Sequence, residues 1–260
     1  MEVILVETGQ EGALLAAHLI ARQVRLRPDS VLGLATGATP IPIYAELVRM
    51  HREEGLSFRR VSTFNLDEYV GLASDHPASY RRYMQEHLFG RVDLAPERTH
   101  VPDGLAQDIP ACCARYEEQI RMAGGVDLQL LGLGQDGHIG FNEPSSSLAS
   151  RTRLKTLTPH TVAANRPGFP PGEAVPRHVL TMGIGTIMEA RRCLLVAFGA
   201  RKASAVARMV EGPLTAMVPA SILQMHPCAT ILVDEAAGRR LRMRRYYLDV
   251  YRRKPDWQKE

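Results

Sequence analysis

Short apolar runs recur along this chain with helix-patterned segments between them, and that alternation restricts the fold more than any other feature. The runs at residues 3–6, 31–35, 61–66, 126–133, 179–182, 193–198 and 230–233 are strand-sized and rich in Val, Ile and Leu. Between them, apolar residues return at helical spacing over residues 10–25, 42–53, 78–89, 111–122 and 202–210, and a final helix comes after residue 233. This repetition predicts βαβ units, hence a mostly parallel central sheet with helices on both faces, a Rossmann-like α/β fold. Residues 1–260 contain no repeat, low-complexity tract or long linker, so a single domain is expected. Such sheets bind ligands just beyond the carboxyl ends of their strands. Function should therefore be sought in the residues at the end of each run.

The richest of these ends is G-Q-D-G-H-I-G-F-N-E-P, residues 134–144, where Asp136, His138 and Glu143 fall within eight residues. Three ionisable groups crowded there suit proton transfer on a small polar ligand. A loop whose Asp and Asn serve turn amides, with His138 as a packed ring, is the alternative. The run 31–35 ends in T-G-A-T-P, where Thr36, Gly37, Ala38 and Thr39 outline a phosphate cradle before a helix start. It is not a Walker loop, and a helix cap accounts for Thr39 equally well. No G-x-G-x-x-G appears there, so no hydride carrier is implied. The run 61–66 leads into Asp67 and Glu68, which face opposite ways if the chain stays extended. One can enter the crevice while the other is paired or solvated; Asp67 is the candidate base, with a turn cap as its alternative. After the run 193–198, Lys202 opposes the dipole of the helix it opens unless an anion sits nearby; a solvent-facing lysine is the alternative.

The net charge of +4 makes no case for nucleic acid, and the arginines between residues 239 and 253 read as a solvated helix face. Only four lysines occur: Lys155 and Lys202 inside motifs, Lys254 and Lys259 in a tail that looks frayed. Cys112, Cys113, Cys193 and Cys228 have neither C-x-x-C nor metal-ligand spacing, so reduced thiols and no metal are expected. The first residues enter a strand without a signal-peptide pattern, and no window suits a membrane span; the expected compartment is the cytoplasm. The Pro/Gly-rich segment 158–176 is too long for an ordinary connection. It comes after the candidate site and is read as an active-site lid, an inert surface excursion being the alternative. Taken together, an anion cradle, a lysine, a carboxylate base and an Asp/His/Glu cluster suit isomerisation of a phosphorylated sugar.

The motifs L-G-L-A-T-G-A-T-P (32–40), T-F-N-L-D-E-Y-V-G-L (63–72), H-P-x-S-Y (76–80), the 134–144 segment, S-L-A-S-R-T-R (147–153) and L-Q-x-H-P (223–227) occur collinearly between about residues 3 and 234. In this the chain resembles the glucosamine-6-phosphate deaminase family. The resemblance implies aldose–ketose isomerisation of glucosamine 6-phosphate with release of ammonia, without metal or organic cofactor. It implies that Asp67 shuttles a proton between C2 and C1. His138 would open the pyranose ring, assisted by Asp136 and Glu143. Thr36, Gly37, Ala38, Thr39 and Lys202 would hold the phosphate, with alanine at 38 where a second glycine is common. The family's lid arginine aligns with Pro167, one residue after Arg166, which is the candidate for that contact. Some members are hexamers activated by N-acetylglucosamine 6-phosphate at a subunit interface. Ser146, Arg153, Lys155 and Thr156 match their activator site, while a tyrosine of that site falls at Leu248, beside Tyr247. A homo-oligomer, with a hexamer among its forms, and that activator are therefore expected. Two rivals stand beside this reading. A non-catalytic sugar-phosphate sensor would carry a helix-turn-helix for which no N-terminal segment is present. The other is a related enzyme, a 6-phosphogluconolactonase or ketose-forming isomerase; a lactonase would need no C2 base at Asp67.

Overall fold

The computed structural model describes residues 1–255 and 258. In chain order its elements are β1 (Glu2–Val6), α1 (Gly9–Leu26), β2 (Val31–Leu34), α2 (Ile41–Glu54), β3 (Ser62–Asn65), β4 (Asp67–Tyr69), α3 (Tyr80–His87), β5 (Thr99–His100), α4 (Ile109–Met122) and β6 (Leu128–Gly132). Then come β7 (Arg153–Thr156), α5 (Pro159–Asn165), β8 (His178–Thr181), α6 (Ile184–Met188), β9 (Arg192–Ala197), α7 (Ala203–Glu211), β10 (Ala229–Asp234), α8 (Glu235–Gly238) and α9 (Arg244–Arg252).

Seven strands pair in parallel in the order β1-β10-β9-β6-β2-β3-β5. Their unbroken apolar stretches reflect burial on both faces: Ile4, Leu130, Leu131, Leu195, Ile231, Leu232 and Val233 are wholly inaccessible. From β2 the chain winds outward to β3 and β5; from β6 it winds the other way, to β9 and β10. The adjacent ends of β2 and β6 therefore send their loops apart and open a crevice. At the opposite edge of the same strands, Asp127 ties the sheet together. It accepts from Arg27 Nη1 at 2.6 Å, Arg191 Nη1 at 2.9 Å and the Val31 amide at 2.8 Å.

The structure departs from the sequence expectation in its second sheet. The run 179–182 does not enter the parallel sheet: β8 pairs antiparallel with both β4 and β7. Leu66 is the junction, its amide bonded to Leu34 O in the large sheet at 3.1 Å and its carbonyl accepting from Met182 N at 2.6 Å. The apolar character of residues 179–182 reflects burial, which either sheet would satisfy. The segment 158–176 is likewise more regular than its composition suggests. It begins with α5, capped by the Thr158 hydroxyl oxygen accepting from Thr161 N, and continues through a 3-10 turn at Arg166–Gly168. Nor is the tail frayed at Lys254, whose Nζ lies 2.6 Å from Glu2 and 5.6 Å from the Tyr251 ring centre; Lys259 lies outside the described residues. Among the described residues, no helix is long and apolar enough to cross a membrane, and no three His, Cys, Asp or Glu side chains gather as a metal site.

Candidate active site

A cavity of about 610 Å³ fills the crevice between the ends of β2 and β6. Its walls bring together Thr36, Gly37, Ala38 and Thr39 after β2, Asp67 at the start of β4, Asp136 and His138 after β6, and Lys202 before α7. Four sequence-distant strand ends thus meet at one site.

The T-G-A-T-P turn and the start of α2 form one end of the cavity. The N-cap of helix α2 is Pro40, with no side-chain cap bond, so Thr39 does not cap it and that alternative falls. Gly37 holds φ 102°, a conformation costly for residues with a Cβ, and its carbonyl accepts from Tyr83 Oη at 2.7 Å. The uncapped amides carry the positive end of the helix dipole toward the cavity. From the other wall comes Lys202, the N-cap of α7, which is half-buried and folded back so that Nζ donates to Leu133 O at 2.7 Å. Burial lowers its proton affinity; nearby Asp136 offsets this and Arg201 adds to it. The solvent-facing alternative for Lys202 therefore falls as well.

Asp136 and His138 form a compact pair. Asp136 Oδ1 lies 2.7 Å from His138 Nδ1, by a bent approach, and accepts from the His138 amide at 3.1 Å. Burial opposes ionisation of Asp136, but these bonds and the imidazole's charge outweigh it and take the carboxyl down to about 2. Gly134 makes the fold of this loop possible, since a Cβ there would stand 2.4 Å from the His138 ring. The loop is also pinned from behind, by Ala220 N donating to Gly137 O and Arg208 Nη2 donating to Asp136 O.

Asp67 is positioned by the second sheet. It is paired in register with Thr181, whose hydroxyl oxygen accepts from Phe141 N at 3.1 Å. A Cβ on Gly140 would lie 3.6 Å from Asp67 Oδ2, so the loop passes directly over the carboxylate. Asp67 is 5% exposed and makes no side-chain hydrogen bond among the described residues. Desolvation, with a smaller contribution from the charge of Glu68, pushes it up to about 8. Glu68 turns the other way and caps α3, accepting from Ser79 Oγ, Tyr80 N and Arg81 N at 2.8, 3.1 and 3.0 Å. The turn-capping role weighed for Asp67 thus belongs to its neighbour.

Other expected residues lie outside the cavity wall. Glu143 is buried and accepts from Thr158 N at 3.2 Å, with Oε2 unpartnered among the described residues; it does not line the cavity or hydrogen-bond to His138. Arg166 is exposed and donates to the carbonyls of Glu173 and Pro170, closing its own turn instead of reaching the cavity. Ser146, Arg153, Lys155 and Thr156 also lie away from the lining, Arg153 donating to Asn142 Oδ1 at 2.9 Å. Conversely, Tyr80, His160, Asn165 and Arg201 line the cavity although the sequence pattern assigned them no role. For Arg201 the neighbouring Lys202 was a usable signal. For His160 and Asn165 the reading of 158–176 as a lid gave only the segment; the packing of α5 selects the residues.

The fold and the site together define an α/β enzyme with its ligand cavity at the switch point of a parallel sheet. The chain belongs to the family described as glucosamine-6-phosphate isomerases/6-phosphogluconolactonase, whose model matches residues 7–232. It is 55% identical over 258 residues to a glucosamine-6-phosphate deaminase of Arthrobacter sp. (strain FB24), covering 99% of each chain. It is 54% identical over 260 residues to one of Mycolicibacterium smegmatis, again covering 99% of each. Among solved structures it superposes on a monomeric glucosamine-6-phosphate deaminase with a TM-score of 0.90 at 45% identity, over 92% of this chain and all of that one. A 6-phosphogluconolactonase from Leishmania guyanensis shares the fold at a TM-score of 0.72 and 22% identity, over 91% and 97% of the two chains.

Proposed function

We propose that this chain converts glucosamine 6-phosphate and water into fructose 6-phosphate and ammonia. The observation that carries the reading is a buried carboxylate, Asp67, that has no hydrogen-bond partner among the described residues and borders the same cavity as an Asp-paired imidazole and an anion cradle. The phosphate binds at Thr36, Gly37, Ala38, Thr39 and Lys202. His138, held by Asp136, moves the anomeric hydroxyl proton to the ring oxygen and frees the aldehyde. Asp67 then removes the C2 proton, made acidic by that aldehyde, and returns it to C1. The C2 imine so formed takes up water and releases ammonia. Proton transfer between adjacent carbons is a task for one sheltered base, and desolvation gives Asp67 the basicity for it.

His160 and Asn165 on the wall support closure of the segment 158–176 over bound sugar. Activation by N-acetylglucosamine 6-phosphate at Ser146, Arg153, Lys155 and Thr156, in a homo-oligomer, belongs to the same proposal. Its support is the Arg153–Asn142 bond, one residue from Glu143. An activator titration that leaves the substrate-saturation curve unmoved removes this part alone. The main test is ammonia release from glucosamine 6-phosphate with glucose 6-phosphate as control. Ammonia at the rate of fructose 6-phosphate formation is expected; folded protein that releases none refutes the deamination.

A further inference from the structure

We infer that Arg201 is a second cationic contact for the substrate phosphate, so that the phosphate is recognised by the fixed walls of the cavity and not by the segment 158–176. This rests on the reading above. A phosphate monoester carries close to two negative charges at neutral pH, and Lys202 supplies one positive charge. The residues that the segment 158–176 contributes to the lining are His160, Thr161, Ala164 and Asn165, none of them a permanent cation. Its arginine, Arg166, spends its guanidinium on the carbonyls of Glu173 and Pro170.

Arg201 meets the requirement from the opposite side. It lines the cavity, it is exposed, and its guanidinium meets no carboxylate among the described residues. Its backbone lies in the 3-10 turn Ala200–Lys202, which comes after Gly199 at φ 87° and has no side-chain cap. That turn is anchored, because Gly199 N donates to both carboxylate oxygens of Asp234 at 3.0 and 2.9 Å. The guanidinium is thus presented from a rigid strand end, beside Lys202 and across the crevice from the uncapped start of α2. A planar fork can engage two phosphate oxygens at once, a geometry Lys202 cannot offer. Lys202 needs only to exchange its bond to Leu133 O for one to the ligand.

The test compares R201A, R201K and R166A in the full-length chain, using steady-state kinetics and calorimetric binding of inorganic phosphate. R201A is expected to raise KM for glucosamine 6-phosphate and the Kd for phosphate about five- to tenfold, the range for a partly solvated charge-assisted contact, with kcat held. R201K should recover part of the loss, and R166A should leave phosphate affinity unchanged. Unaltered phosphate affinity in R201A, or an equal loss in R166A, overturns the inference. If the wild-type chain releases no ammonia but R201A still weakens phosphate binding, the anion contact stands and the deamination falls.

Discussion

The two edges of the large sheet each hold a buried aspartate, and they are treated in opposite ways. At the amino edge, Asp127 is 2% exposed and surrounded by two guanidinium groups and a strand amide. Beyond the carboxyl edge, Asp67 is just as sheltered yet has no hydrogen-bond partner among the described residues and stands beside a second acid. Burial of a charge is tolerable when it is paired and costly when it is not. Asp127 therefore contributes to stability, whereas Asp67 stores destabilisation as basicity. A carboxylate is thus structural or reactive according to what the fold places around it.

The largest effect expected is on turnover. Asp67→Asn should lower kcat by about 10³–10⁴-fold, at the upper end for removal of a general base, while sugar-phosphate binding persists. In the wild-type chain kcat/KM should rise with pH along a limb that ends near 8, as Asp67 ionises. The variant should lose that limb. The stability effect has the opposite sign. The folded state holds the Asp67 proton more tightly than the unfolded chain does, so this contribution is fully present below about 3.8 and is lost as pH rises toward about 8. Asparagine removes the loss. The melting point of the variant should exceed wild type by a margin that widens from pH 4 to pH 8, at about 2–4 °C per kcal/mol. A variant that is less stable at pH 8 than wild type would break the contrast with Asp127.

Next in size, His138→Gln should slow the cyclic substrate about 100-fold while sparing an open-chain analogue. Equal losses on both would contradict ring opening by this imidazole. Asp127→Ala should cost about 2–3 kcal/mol in urea unfolding, reduced from the cost of a fully buried pair because Arg27 and Arg191 are 44% and 53% exposed. Its kcat should stay within a factor of about two. If the two aspartates exchanged these phenotypes, the distinction between the edges would fail.

Much of the large sheet was legible because six of its seven strands announce themselves locally, as an apolar run closed by a turn; the two-residue edge strand β5 has no such run. The expected runs and the observed strands differ by a residue or two at their ends: 31–35 against Val31–Leu34, 193–198 against Arg192–Ala197. The same locality exposed Thr36, Asp136, His138 and Lys202, which sit where runs stop. The three-stranded sheet was not legible. Strand β4 is three residues long, and its partner β8 lies more than a hundred residues away, so neither periodicity nor turn chemistry specifies the register. Yet that register sets Asp67 against Thr181 and holds the Gly140–Phe141 backbone over it. The candidate base could be picked out from the sequence, but the surroundings that raise its proton affinity could not. Arg166 failed for a related reason: its own turn offers carbonyls closer than the cavity does.

The bond from Lys202 to the Leu133 carbonyl gives this chain a built-in reporter. Of its four lysines, Lys254 is engaged with Glu2, and Lys202 is one whose amine burial leaves readier to lose its proton. An acylating reagent should reach this amine in the ligand-free cavity, and a bound ligand should shield it. Mass spectrometry of one peptide would then count filled sites without any turnover, even in variants that have lost their chemistry.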